Sequence, residues 1–271
     1  MISSLSGRVN LLHCGYMTAL GASIKDLRLT LVIPVYKEHR RMHESLKSVA
    51  AFVAGAGDVA VDAIFVDDGS PDSSAAMINA FLADRDDPAL RLIRYPENQG
   101  KGHAVKTGVL AAEGDLILMS DADLSTPLGD WRKLKAAIDA GADIVCGSRA
   151  VRGAHIGKPP PLHRRLLSRI FNLLVRLAGV RGIRDTQCGF KLFRAEAAKQ
   201  IFGQMRTRRF AFDVEVIALA RDMGYRVDEV PVSWDYSGHS TVRIFSSGGR
   251  MVLDVFLLAV RRMVHGRHRS Q

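Results

Sequence analysis

The stretch Leu116-Ile117-Leu118-Met119-Ser120-Asp121-Ala122-Asp123 joins an apolar run to two closely spaced aspartates. The four apolar residues predict a short buried strand, and the aspartates follow where that strand ends. An earlier run, Ala63-Ile64-Phe65-Val66, ends in the same way with Asp67-Asp68-Gly69-Ser70. Two buried strands with acidic ends indicate a sheet that carries a polar site along one edge.

Strand patterns and helical patterns alternate through the first half of the chain. Predicted strands cover 29–35, 63–66, 90–94, 115–119 and 143–146, and predicted helices cover 41–53, 73–83, 101–112 and 131–140. This alternation is typical of βαβ units, so we expect an α/β fold with a mostly parallel sheet flanked by helices. Ligands bind beyond the carboxyl ends of the strands in such sheets. The residues expected along that edge are Asp67, Asp68, Asp121, Asp123 and Arg149.

Composition limits the class of protein. The 271 residues are 47% hydrophobic and 24% charged, which allows a substantial core. Cys14, Cys146 and Cys188 lack the spacing of metal ligands, and we interpret them as reduced thiols of a cytoplasmic protein. The sequence contains no run of the roughly 20 apolar residues that a transmembrane helix needs. A weak apolar run at 11–22 makes a poor signal peptide, so residues 1–28 are interpreted as an N-terminal extension.

The formal net charge of +10 is concentrated in one segment. Nine Lys or Arg residues and no Asp or Glu lie between Arg149 and Arg184. An anionic membrane surface and nucleic acid both suit such a segment. Phe171 is the only aromatic residue of the segment that could stack on a base, which disfavours nucleic acid as the partner.

A predicted helix within this basic segment is amphipathic. Residues 162–178 follow three prolines and place arginines on one face and leucine or isoleucine on another. Such a helix lies in a membrane interface or packs on the sheet as an ordinary surface helix. A second element of this kind at 251–264 favours the membrane. We therefore expect one domain at 29–241, with a basic amphipathic insertion at about 150–182, and a C-terminal amphipathic basic helix at 242–271.

Asp121 and Asp123 are candidate ligands for Mg²⁺ or Mn²⁺, because both cations prefer hard oxygen donors. A cation held by one or two carboxylates can bridge the phosphates of a nucleotide diphosphate and stabilise its departure from a sugar. An acidic turn is the commoner explanation of an Asp-x-Asp pattern alone. The position at the end of an all-apolar strand favours a metal-assisted nucleotide-sugar site.

Further candidates lie at the ends of neighbouring strands. Asp67 and Asp68 can accept hydrogen bonds from a base or ribose, and a capped turn between strand and helix is compatible with that role. The end of the first strand adds Pro34, Tyr36 and Glu38 to the same wall. The loop Asn98-Gln99-Gly100-Lys101-Gly102 precedes a predicted helix and offers backbone donors and a cation to an anion. It matches neither the Walker nor the Rossmann glycine pattern.

Four of these stretches resemble the inverting family 2 glycosyltransferases of the Rossmann-like GT-A fold: 32–38, 66–70, 98–102 and 121–123. Gly147-Ser148-Arg149, 184–193 and 210–215 resemble the dolichyl-phosphate β-glucosyltransferases within that family. The string Asp185-Thr186-Gln187-Cys188-Gly189-Phe190-Lys191-Leu192-Phe193 is the most specific part, because related mannosyltransferases usually have Ser-Gly-Phe-Arg there. The likeness runs from about Leu29 to at least Trp234, and Phe210 stands where the family usually has Trp.

The resemblance implies a hexosyltransferase that moves glucose from UDP-glucose to dolichyl or another polyprenyl phosphate with inversion. The two amphipathic segments, interpreted as C-terminal interfacial helices, predict a peripheral position at the cytoplasmic face of a membrane. Asp67 and Asp68 would contact uridine, whereas Asp121 and Asp123 would handle the metal and the diphosphate. The further nucleotide-sugar residues would be Lys101, Ala122, Asp185 and Gln187.

A lipid phosphate is mostly ionised at neutral pH, since phosphate esters have a second pKa near roughly 6. It can attack the sugar without a strong general base if cations hold it in line. We expect Arg149 in that role, assisted by Arg152, Arg164 and Arg165. Asp213 begins a predicted helix where other superfamily members place a base, so it is expected to orient the acceptor or bind a sugar hydroxyl.

Three alternatives remain open at the level of sequence. The donor could be GDP-mannose or another UDP-sugar, because pocket shape decides the donor. A catalytically silent nucleotide- or lipid-binding module is disfavoured by the presence of both Asp121 and Asp123. A soluble transferase with a non-lipid acceptor would pack the segment from Arg149 to Arg184 against the body of the protein, with its leucines buried.

Overall fold

A computed structural model describes residues 27–57, 59–159, 161–177, 180, 182–235, 252–258 and 260–261. The strands are β1 Arg28–Val35, β2 Ala60–Asp67, β3 Leu90–Arg94, β4 Leu116–Met119, β5 Ile144–Ser148, β6 His155–Ile156, β7 Lys191–Arg194, β8 Val227–Pro231 and β9 Ser233–Trp234. Seven of these strands form one sheet in the order β3-β2-β1-β4-β7-β5-β8. The other two, β6 and β9, form a small parallel pair.

Helices cover both faces of the large sheet. Their bounds are α1 His39–Gly55, α2 Ser74–Arg85, α3 Lys101–Ala111, α4 Trp131–Asp139, α5 Leu162–Leu177, α6 Ala195–Gln204 and α7 Phe212–Asp222. The helices α1, α2 and α4 contribute to the core on one face, and α3, α6 and α7 contribute to the core on the other. The expected α/β fold with a mostly parallel sheet flanked by helices is therefore confirmed.

The central stretches 31–35 of β1, 63–66 of β2 and 116–119 of β4 are apolar at every position because both faces of the sheet are covered. In β2, Ile64 and Val66 enter one core, whereas Ala63 and Phe65 enter the other. This alternation follows from the two-residue period of side chains along a strand. The runs that the sequence presents as continuously hydrophobic are thus buried on both sides.

One strand runs against the others. Strand β7 lies between β4 and β5 and is antiparallel to both, with Lys191 opposite Met119 and Cys146. Strands β7 and β8 were not predicted from the sequence, and the second predicted strand began at Ala63, whereas β2 begins at Ala60. Because β7 runs backwards, it begins at the edge where β4 and β5 end. Lys191 therefore enters the sheet beside the acidic tip of β4.

The two amphipathic segments contribute to the core and also expose apolar side chains. In α5, Val175 is buried, and in the helical residues 252–258, Val255 and Leu258 are buried in the same core. Of the predicted N-terminal extension and C-terminal helix, residues 1–26, 242–251, 259 and 262–271 lie outside the described residues. Within the part of the chain that the structure describes, no helix is long and apolar enough to cross a membrane.

Candidate active site

The carboxyl ends of β1, β2, β4 and β5 meet at one edge of the sheet. Strand β1 is parallel to β2 and β4, and β5 has the direction of β4 because both are antiparallel to β7. This topology places five side chains along that edge: Asp67, Asp68, Asp121, Asp123 and Arg149. Their hydrogen bonds distinguish those that face the site from those that support it.

Asp121 follows β4 and forms an ion pair with Lys101, the first residue of α3. The Lys101 Nζ lies 2.5 Å from Asp121 Oδ1, and both side chains remain partly exposed. Burial raises the pKa of the Asp121 carboxyl, but the positive charge of Lys101, aided by Lys191 and Arg149, holds that pKa below its usual range. Asp121 is therefore a carboxylate stabilised by surrounding cations.

Asp123 lies on the side of the site formed by the end of β1 and the start of α1. Its Oδ1 accepts a hydrogen bond from the Ser125 backbone N–H at 3.1 Å, and its Oδ2 is 3.8 Å from Arg41 Nη1. Arg41 also donates from Nε to Glu38 Oε2 at 2.5 Å. Burial raises the pKa of Glu38, the arginine lowers it, and the charges of Asp123 and Asp121 raise it further. Glu38, Asp121 and Asp123 therefore lie close enough for the charges of the two aspartates to act on the Glu38 carboxyl.

Asp68 binds the loop at 98–100, which precedes Lys101. Its buried carboxylate accepts hydrogen bonds from Asn98 Nδ2 at 2.7 Å and from the backbone N–H groups of Gln99 and Gly100 at 2.7 and 2.8 Å. Burial raises the pKa of Asp68, and the two backbone hydrogen bonds oppose that rise. The carboxylate that was expected at uridine therefore binds the protein's own loop.

Asp67 is fully buried and only partly satisfied. Its Oδ2 accepts a hydrogen bond from the Ser70 N–H at 3.2 Å and lies 3.4 Å from Arg94 Nε. Its Oδ1 has no hydrogen-bond partner among the described residues. A buried acceptor without a partner is rare in folded proteins, and a ligand is one way of satisfying it.

Two of the backbone donors that the loop at 98–102 offers to an anion are used within the protein. The backbone N–H groups of Gln99 and Gly100 donate to Asp68, and that of His103 donates to Arg208 O at 3.0 Å. A Cβ atom on Gly100 would lie 2.5 Å from Arg208 O, so the glycine allows two backbone segments to touch. The loop contributes the side chain of Lys101 to the site, while these backbone donors are used internally.

Arg149 and Asp185, which were expected to bind two different substrates, bind each other. Arg149 donates from Nε and Nη2 to the two carboxylate oxygens at 2.7 and 2.9 Å, and its backbone N–H adds a third bond at 3.0 Å. The guanidinium also lies 5.2 Å from the centre of the Trp234 ring. Burial raises the pKa of Asp185, but Arg149 outweighs it and holds that pKa below its usual range.

Asp213 is buried beneath the edge, in contact with a lysine that sequence reasoning missed. Lys191 Nζ donates to Asp213 Oδ1 and to Cys188 O, both at 2.5 Å. Burial raises the pKa of Asp213, and the charges of Lys191 and Lys101 oppose that rise. The available signal was a lysine at the start of the apolar run Lys191-Leu192-Phe193. Such a residue must find an acidic partner once it is buried.

The remaining predicted residues have varied surroundings. Pro34 and Tyr36 are half-buried, and Ala122 is buried with its carbonyl oxygen accepting from Ser45 Oγ at 2.7 Å. The Nε2 of Gln187 is buried without a hydrogen-bond partner among the described residues. Arg152 is exposed, and the side chains of Arg164 and Arg165 lie outside the described part of the structure.

Comparison with known proteins identifies the class and the family to which this fold and edge belong. A family model described as Glycosyl transferase family 2 matches residues 30–202. Dolichyl-phosphate beta-glucosyltransferases of Trichomonas vaginalis, Drosophila melanogaster and Homo sapiens are 36%, 35% and 33% identical to this chain. The alignments cover 88%, 88% and 86% of this chain and 72%, 76% and 75% of those proteins. The chain therefore belongs to glycosyl transferase family 2, among the dolichyl-phosphate β-glucosyltransferases, and is a hexosyltransferase.

Solved structures share the fold at much lower identity. Glucosyl-3-phosphoglycerate synthase from Mycobacterium tuberculosis, in complex with Mn²⁺, UDP-glucose and phosphoglyceric acid, has a TM-score of 0.65 and 17% identity. That alignment covers 91% of this chain and 85% of the synthase. The mannosyltransferase PcManGT from Pyrobaculum calidifontis, in complex with GDP-Man and Mn²⁺, has a TM-score of 0.59 and 19% identity, covering 87% of this chain and 65% of that one.

Proposed function

We propose that this protein transfers glucose from UDP-glucose to dolichyl phosphate or a related polyprenyl phosphate, with inversion at the anomeric carbon. The observation that carries the proposal is the Asp121 and Asp123 pair at the end of β4, beside Glu38 and Lys101, in a member of this family. The relatives at 33% to 36% identity are named for this acceptor and this sugar.

The proposed metal ligands are Asp121 and Asp123, and the residues present fit a hard divalent cation. Both side chains are partly exposed at the strand tip, and both offer carboxylate oxygens. Within the described ranges, the protein alone provides no cluster of three or more His, Cys, Asp or Glu residues that could hold a metal ion. Two protein carboxylates suit Mg²⁺ or Mn²⁺ when substrate phosphates supply further oxygen ligands. When bound, the cation would neutralise charge on the departing diphosphate.

The proposed donor pocket extends along the edge from the end of β2 to the strand-linking loop before β7. Asp67 and Gln187 each keep a buried polar atom without a partner in the described part of the chain, and we assign them to uridine and to sugar hydroxyls respectively. Pro34, Tyr36 and Glu38 complete the wall at the end of β1. Asp68 has an indirect role, because its carboxylate accepts hydrogen bonds from the loop that carries Lys101 and so positions that lysine.

The proposed acceptor site centres on Arg149. Asp185 and Trp234 fix its guanidinium at the carboxyl end of β5, which favours binding of an anion in one orientation. Arg152 and, from α5, Arg164 and Arg165 would add positive charge. An ionised phosphate needs no protein base, which agrees with the burial of Asp213 against Lys191. We therefore reassign Asp213 from acceptor binding to support of the site.

The proposed membrane-docking surface consists of exposed apolar side chains on two helical segments. In α5 these are Leu162, Leu167, Ile170 and Leu173, and in the C-terminal segment they are Val252, Leu253, Phe256 and Leu257. Leu162 is 78% exposed and Phe256 is 62% exposed. A soluble transferase would bury such residues, whereas a protein that takes a lipid acceptor can press them into an anionic membrane surface. We propose peripheral attachment at the cytoplasmic face.

A donor panel tests the proposal. Purified protein would be incubated with a short polyprenyl phosphate, Mg²⁺ or Mn²⁺, and radiolabelled UDP-glucose, UDP-galactose or GDP-mannose in separate reactions. We expect label to enter the lipid fraction from UDP-glucose, with β configuration at the anomeric carbon. Preferential transfer from GDP-mannose would replace the proposed donor. In parallel reactions that contain phosphoglycerate in place of the lipid, transfer to phosphoglycerate would favour the soluble alternative.

A further inference from the structure

Each carboxylate of the Asp121 and Asp123 pair lies beside a basic side chain from a different wall of the site. Lys101 approaches Asp121 from the first turn of α3 at 2.5 Å. Arg41 approaches Asp123 from the first turn of α1 at 3.8 Å and also contacts Glu38. The positions proposed for a metal are thus already neutralised in part by the protein.

The charges of this group are nearly balanced. Glu38, Asp121 and Asp123 contribute three negative charges, and Arg41 and Lys101 contribute two positive charges. The adjoining ion pairs of Lys191 with Asp213 and of Arg149 with Asp185 are each neutral. A divalent cation that entered alone would leave the group with a net positive charge and would face the ammonium group of Lys101 across Asp121.

A nucleoside diphosphate changes that balance. Its phosphate oxygens offer Lys101 a strong charge-assisted partner, because ammonium and phosphate form short hydrogen bonds. The ammonium group can then leave Asp121, and the carboxylate becomes available to the cation. The like-charge repulsion that opposes the metal alone is thereby removed only when both ligands are present.

We propose that Lys101 couples the binding of the metal to the binding of the nucleotide diphosphate, by occupying Asp121 until a diphosphate takes over its ammonium group. This inference rests on the proposed function, because it takes a divalent cation and a nucleotide as the two ligands. The metal binds weakly alone, and the nucleotide strengthens its binding through one particular side chain.

Titration of Mn²⁺ tests the coupling without any measurement of activity. Free Mn²⁺ would be followed by electron paramagnetic resonance, with and without UDP, for the wild type, Lys101→Met and Lys101→Arg. Lys135→Met is the matched control, because Lys135 pairs with Asp139 on the surface of α4. Circular dichroism would verify folding, and Lys101→Gln provides a second neutral variant. Asp121→Asn would identify the bound Mn²⁺ with the aspartate pair.

We expect UDP to strengthen Mn²⁺ binding markedly in the wild type, in Lys101→Arg and in the control. In Lys101→Met, removal of one positive charge near the site should strengthen the binding of Mn²⁺ alone by about tenfold and should shrink the effect of UDP. The coupling role is wrong if Lys101→Met and Lys101→Gln bind Mn²⁺ alone no more tightly than the wild type. If no protein binds Mn²⁺ with or without UDP, the metal of the proposed function fails as well, which separates the two results.

Discussion

Gly189 lies so close to Asp121 that a Cβ atom on Gly189 would fall 2.2 Å from Asp121 Oδ2. No real side chain tolerates that distance, so any larger residue must displace the carboxylate or the loop before β7. The loop is held in turn by Lys191, whose Nζ binds the carbonyl oxygen of Cys188. The glycine of the family-specific string is therefore explained by direct contact with the proposed metal ligand.

Gly189→Ala should reduce kcat/KM by about 100-fold, because a shift of about 1 Å at a reacting centre costs that much. Steady-state kinetics with UDP-glucose and a polyprenyl phosphate would measure the effect. Gly203→Ala is the matched control, since a Cβ atom there meets nothing within 4 Å. Wild-type kinetics in Gly189→Ala would mean that Asp121 does not need its observed position.

Asp123→Ala should reduce turnover by about 1,000-fold or more, because the diphosphate would leave without a fully held cation. Initial rates at saturating Mg²⁺ or Mn²⁺ would measure the loss. Asp139→Ala is the control, since Asp139 is an exposed carboxylate paired with Lys135 on α4. Near-normal turnover at saturating metal would remove Asp123 from the proposed site.

Lys191→Met should lower the free energy of unfolding by about 3–5 kcal/mol, because it leaves the buried charge of Asp213 without its partner. Urea or guanidinium denaturation would measure the change. The double variant Lys191→Met/Asp213→Leu removes both charges and should recover most of the loss. Equal instability of the single and double variants would contradict a stabilising role for the ion pair.

The ion pair of Arg149 with Asp185 should make stability depend on pH in the acid range. The pKa of Asp185 is lower in the folded protein than in an unfolded chain, where it is near roughly 3.9. The pair therefore contributes stability above about pH 4 and loses it as pH falls through the lower folded-state pKa. The difference in unfolding free energy between wild type and Asp185→Asn should be largest near neutral pH. A difference that stays constant down to pH 2 would contradict this assignment.

Leu173→Ser and Phe256→Ser should each weaken sedimentation with anionic liposomes by about tenfold, the effect of removing one large apolar side chain from a buried position. Leu110→Ser is the control, because Leu110 is also exposed but lies on α3. Binding of the wild type should weaken as salt rises, since part of the attraction is electrostatic. Binding that neither salt nor these two substitutions change would argue against the proposed docking surface.

The sequence predicted much of the fold because its strands and helices have different periods. Strands at 29–35, 90–94 and 115–119 were found close to their predicted bounds as β1, β3 and β4. The antiparallel strand β7 was missed, since its four residues carry a charge at each end and lack a clear alternation. A short strand in the middle of a sheet is defined by its neighbours, which lie far away in sequence.

The candidate site likewise contains residues that local sequence predicts and residues whose role depends on distant partners. Asp121 and Asp123 could be predicted because an acidic pair directly follows an apolar strand. The pairing of Arg149 with Asp185 could not, because 36 residues separate them. Asp68 was predicted as a ligand-binding residue, yet its carboxylate is used to hold residues 98–100. Nothing local to Asp68 distinguishes these two uses.

The amino-acid sequence by itself determined the α/β class and the edge at which the acidic strand tips collect, because parallel strands joined by helices end on the same side. Only the tertiary structure decided which basic side chain pairs with which carboxylate. Lys101 with Asp121, Arg149 with Asp185 and Lys191 with Asp213 are pairs of residues 20, 36 and 22 positions apart in sequence. The physical reason is that ion pairing depends on distances of a few ångströms in space, which local sequence patterns do not encode.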